Sequence, residues 1–77
     1  MFTGTVKHLM PTDLATVEAA VVGEFLVVVV AVGSTVVVRF PMPPTADINA
    51  VQNATANVLN QTGLVNERAL VELTEVP

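Results

Sequence analysis

Cysteine, tryptophan and tyrosine are absent from this 77-residue chain, and three phenylalanines are its whole aromatic complement. Without cysteine there is no disulfide and no thiolate metal site. A chain near the lower size limit for a self-sufficient core therefore has no covalent staple. Basic residues are nearly as scarce: Lys7, Arg39 and Arg68 stand against seven carboxylates, for a net charge of −4. Binding nucleic acid takes several Lys or Arg to displace counterions from phosphates. Three scattered cations, with no Trp or Tyr to stack on bases, argue against a nucleic-acid partner. Charge of either sign makes up only 13% of the chain, about half of what a soluble domain usually carries. So thinly charged a surface points to burial in an assembly.

Recognisable chemistry is missing as well. His8 is the single histidine and cannot form half of a His–His metal pair; it reads as a polar strand residue. Asp13, Glu18, Glu24, Asp47, Glu67, Glu72 and Glu75 make neither a tight pair nor a calcium-loop spacing. Gly4, Gly23, Gly33 and Gly63 are isolated, so no glycine-rich loop is there to cradle phosphate. Asn53-Ala-Thr55 and Asn60-Gln-Thr62 match the glycosylation sequon, yet both fall inside a predicted helix, where chance is the simpler reading. These observations predict no catalytic residue, no cofactor, no metal site and no small-molecule substrate, and hence no enzyme.

A membrane-spanning helix needs about 20 apolar residues. The uncharged stretch Phe25 to Val38 has 14, with Gly33-Ser34 inside it and Glu24 and Arg39 at its ends. Met1 to Met10 shows no basic segment followed by an apolar one, so no signal peptide is expected. The expected location is cytoplasmic or virion-associated.

What the chain does have is valine, whose branched side chain suits a pleated strand, and apolar residues amounting to 52% of the whole. Glu24 to Val32 and Thr35 to Phe40 read as two strands around Gly33-Ser34, a type II′ turn that needs φ > 0 at its first position. Taken straight through, this turn sets Val32 opposite Thr35, Val30 opposite Val37 and Val28 opposite Arg39. One face then carries Phe25, Val27, Val29, Ala31, Val36, Val38 and Phe40. Having no polar member, it is predicted to be the core. The other carries Leu26, Val28, Val30, Val32, Thr35, Val37 and Arg39, and all of these but Thr35 are the six candidate interface residues. Arg39 reads either as an arginine at the sheet rim or as half of an intersubunit pair with a carboxylate such as Glu72 of a neighbour.

Thr3 to Met10 is a plausible first strand, ended by Pro11. Residues 14–22 fit a helix by Leu14, Val17 and Val21, with Gly23 as its C-terminal cap, and also fit a strand by the alternation of Val17, Ala19 and Val21. The helical reading is preferred. Pro41-Met-Pro-Pro44 stops a strand and connects to an amphipathic helix from about Ala46 to Thr62, capped by Thr45 and closed by Gly63. Its apolar face is Ile48, Val51, Thr55, Val58, Leu59 and Thr62. Arg68 to Val76 reads as a last strand.

The resulting order, strand-helix-strand-strand-helix-strand over a single domain of residues 1–77, is the ferredoxin-like α+β pattern, with helices on one face of a small antiparallel sheet. If 14–22 is a strand, the alternative is a β-meander of four or five strands with a single helix at about 45–62. Either way one apolar sheet face is uncovered, and its area should exceed the few hundred Å2 usual on monomers. The leading expectation is a structural or assembly subunit, self-associating as a homo-oligomer or docking into a larger particle, such as a small capsid-decorating or tail-associated phage protein. The second is a regulatory or small-ligand-binding dimer with its pocket near Phe25, Phe40 and Val58.

Overall fold

A computed structural model describes residues 1–7, 15–63 and 70–76. Five strands and one helix follow in the order β1 (Phe2–Lys7), β2 (Ala15–Val22), β3 (Phe25–Val32), β4 (Thr35–Met42), α1 (Ile48–Thr62) and β5 (Leu70–Glu75). The single-helix alternative is the architecture observed, and the ferredoxin-like order is not. Residues 15–22 are a strand, so the helix read over 14–22 is corrected. Gly23 is the first residue of a two-residue turn between β2 and β3, with φ +61°, and Val22 pairs with Phe25 across it. A glycine after an apolar run serves a helix end or a hairpin equally well, because both need φ > 0. The β3–β4 turn repeats the device, with Gly33 at φ +60° and Val32 paired with Thr35.

The strands form one antiparallel sheet in the order β4-β3-β2-β1-β5. Four successive strands make a meander; the chain then crosses from one edge of the sheet to the other through α1 and adds β5 beside β1. Crossing four strand spacings means covering about 19 Å. A 15-residue helix is about 22 Å long, enough to make that crossing.

Helix α1 begins two residues later than the pattern suggested. Asp47, not Thr45, is the N-cap: its side chain accepts from Asn49 N at 2.9 Å, while Thr45 Oγ1 accepts from Asp47 N at 3.0 Å. Gly63 closes the helix at φ +72°, its N–H donating to the Asn60 carbonyl. Val51, Thr55 and Leu59 are the buried residues of α1. Buried Thr55 satisfies its hydroxyl locally, donating to the Val51 carbonyl at 2.7 Å.

One contiguous core joins Val51 and Leu59 to Phe2 and Val6 of β1, Ala15, Val17 and Ala19 of β2, Leu26, Val28 and Val30 of β3, and Val71 and Leu73 of β5. Gly4 lies between Phe2 and Val6, where β5 passes so close that a Cβ would overlap the Glu72 carbonyl. Helix α1 also protects the outer edge of β5, since Leu73 N donates to Gln52 Oε1 at 3.1 Å. An edge strand is thereby given a side-chain partner in place of another strand.

Candidate interaction face

The two faces of β3 are exchanged relative to expectation, whereas Val38 and Phe40 of β4 pack against the core as expected. Leu26, Val28 and Val30, three of the candidate interface residues, are 1%, 0% and 1% exposed and lie in the core. Val32 packs against the same core in a partly buried position. The supposed core residues Phe25, Val27, Val29 and Ala31 occupy the opposite face, and Phe25 is 52% exposed.

The cause is in β2. Directly paired residues of antiparallel strands share a face, and Val17 and Ala19 pair with Val30 and Val28 while Glu18 pairs with Val29. Burying the apolar residues of β2 and leaving Thr16 and Glu18 in water therefore turns Val28 and Val30 inward. β3 alone is apolar on both sides and has no preference.

A bulge changes β4 as well. Ala31 pairs with Val36 but Val30 pairs with Val38, so β4 holds one extra residue, Val37. An inserted residue reverses the alternation beyond it. Val38, Phe40 and Met42 accordingly pack against the core, whereas Arg39 pairs with Val29 and Pro41 with Val27 on the far side. Of the six candidate interface residues, Arg39 is the one placed on the open face, and half-buried Val37 sits at the bulge itself.

The open face divides into two halves. Over β2, β3 and β4 it presents Ala20, Val22, Phe25, Val27, Val29, Ala31, Val36 and Pro41, with Val22 at 56% and Val36 at 62% exposure, and exposed Thr16 beside Ala31. Over β1 and β5 it presents Thr3, Thr5, Glu72 and Thr74, with Leu70, 51% exposed, as its one described apolar member. Arg39 and Glu18 stand within the apolar half, one on each side of Val29. Glu72, the partner first considered for Arg39, belongs to the opposite edge of the sheet.

Phe25 and Phe40 project from opposite faces of the sheet, so the two phenylalanines expected to share a pocket near Val58 do not lie on one side of it. Among the described residues no group of three His, Asp or Glu is placed to hold a metal ion, and no helix is long and apolar enough to cross a membrane. His8 and Arg68 lie outside the described residues. Comparison with protein families, with characterised proteins and with solved structures returned no match.

Proposed function

We propose that this chain is a structural subunit that acts by assembly rather than by chemistry, and that it docks through the open face of β2, β3 and β4. One observation carries the reading: a face on which Val22, Phe25 and Val36 are more than half exposed, beside half-buried Val27, Val29 and Ala31. At about 25 cal/mol per Å2, covering such a face is strongly favourable. Contiguous apolar patches of this kind mark docking sites on soluble chains. The scarcity of charge supports the same reading. A small virion component that decorates a capsid or joins a tail is the kind of protein that fits.

Val27→Asp tests it. The substitution puts a carboxylate in the middle of the apolar half without touching the core, so the monomer should keep its fold while association weakens at least tenfold. Sedimentation equilibrium of native and variant protein across the micromolar range reads this directly. Identical, concentration-independent monomer masses for both would refute self-association.

A further inference from the structure

We infer that the occupant of this face is a second copy of the same chain, stacked sheet on sheet about a twofold axis that runs parallel to β3 above Val29. This rests on the docking reading given above and adds to it the partner and the geometry.

Three residues of one cross-strand row carry the inference. Val29 lies on the middle strand of the apolar half, paired with Arg39 of β4 on one side and with Glu18 of β2 on the other. Both charged residues are exposed, and each is about 4.8 Å from Val29 across the sheet. A twofold axis parallel to β3 exchanges the two sides of the row while laying one face on the other. It sets Val29 over Val29, Arg39 of one copy over Glu18 of its partner, and Glu18 over Arg39. Two identical ion pairs then flank an apolar centre, which is the self-complementarity that an isologous interface demands. An axis running across the strands would instead set Arg39 on Arg39 and Glu18 on Glu18.

The geometry of packed sheets allows these pairs. Sheets stack about 10 Å apart, a gap that an arginine and a glutamate side chain close together. Aligned sheets cross at about 30°, but the row lies at the crossing point. A rotation of that size displaces a residue about 5 Å from the axis by only about 2.5 Å. The arrangement also uses the strands where the apolar residues concentrate. With β3 on the axis, β2 and β4 of each copy face each other, and β1 and β5 with their threonines, Leu70 and Glu72 remain outside.

β2, β3 and β4 are eight residues each. The buried patch is therefore about 27 Å by 14 Å, roughly 400 Å2 of flat area per copy, to which the pleat adds. The total belongs with the smaller, reversible interfaces, so the dimer should dissociate on dilution.

The test uses two charge reversals of the full chain and sedimentation equilibrium. Arg39→Glu sets carboxylate against carboxylate twice in a homodimer, and Glu18→Arg sets guanidinium against guanidinium twice. Each alone should weaken association by roughly tenfold or more. An equimolar mixture of the two should restore it, because every facing pair then has opposite charges, and the double variant on one chain should self-associate like the native protein. Both positions are exposed, and matching circular dichroism and melting curves verify that each variant is folded. A mixture or double variant as weak as the single variants would overturn this geometry. If Val27→Asp still dissociated the native dimer, docking through the face would stand with a different arrangement. If it did not, both readings would fall; a native chain monomeric throughout would overturn the stacked homodimer alone and leave the face to a different partner.

Discussion

Gly4→Ala should destabilise the fold, although a glycine inside a strand is usually a weak point. In an unobstructed strand, replacing glycine by alanine gains about 0.5–1 kcal/mol by reducing the freedom of the unfolded chain. At Gly4 the added methyl would overlap the Glu72 carbonyl, with the Leu73 Cα also too close. The obstacle is backbone, so no side-chain rotation can relieve it; β5 must move away from β1. That movement works against the β1–β5 ladder, the buried side chains of Val71 and Leu73, and the Gln52–Leu73 hydrogen bond. Overpacking in a tight core costs about 1–3 kcal/mol, and a rigid obstacle belongs at the upper end, for a net loss of about 2 kcal/mol. A domain of this length has a total stability of about 4–12 kcal/mol, and the melting temperature should drop by about 8–16 °C. Thermal unfolding by circular dichroism, at one fixed protein concentration because assembly also stabilises, measures this. An unchanged or raised melting temperature would refute the close approach of β5 to Gly4.

Two further outcomes test the face assignment and the protected edge. Val28→Thr and Val29→Thr exchange one methyl for a hydroxyl at adjacent positions of β3; the first strands a buried hydroxyl and should cost about 1–3 kcal/mol in urea unfolding of the chain diluted to monomer, the second well under 1. Equal losses would mean that the two faces are not distinguished as described. Gln52→Ala removes the side chain that accepts from Leu73 N; the stability loss should be about 0.5–1.5 kcal/mol, with faster hydrogen exchange at the Leu73 amide, and an unaffected amide would show that the edge is guarded by other means.

The hairpin was legible because Gly33-Ser34 interrupts a β-branched run, and the helix because its apolar spacing ends at Gly63 with φ +72°. The strand at Ala15–Val22 was less so, because eight residues with several valines and alanines satisfy both periodicities. That single ambiguity propagated. β2 is the strand whose alternation separates Thr16 and Glu18 from Ala15, Val17 and Ala19, and pairing with it is what orients β3. Read as a helix, it withheld the only polar signal able to distinguish the faces of Phe25–Val32. The bulge at Val37 left no mark at all: four β-branched residues from Thr35 to Val38 look alike in any register. Arg39 lies on the open face, and its neighbours on the sheet are Val29 and, beyond it, Glu18, not Val28.

The hydrogen bond from Val76 N to the Met1 carbonyl, 2.9 Å long, places the two ends of the described chain side by side. Bringing β5 to β1 closes a loop of about 70 residues, for an entropy cost of roughly 4 kcal/mol, whereas every pairing within the meander is local. Folding should therefore begin among β1 to β4 and finish when α1 carries β5 into place. A circular permutant joined by a short linker at these ends and opened between Gly33 and Ser34 would invert that sequence. β5, β1, β2 and β3 would become the continuous meander, and β4, with Arg39, would be the last strand to arrive.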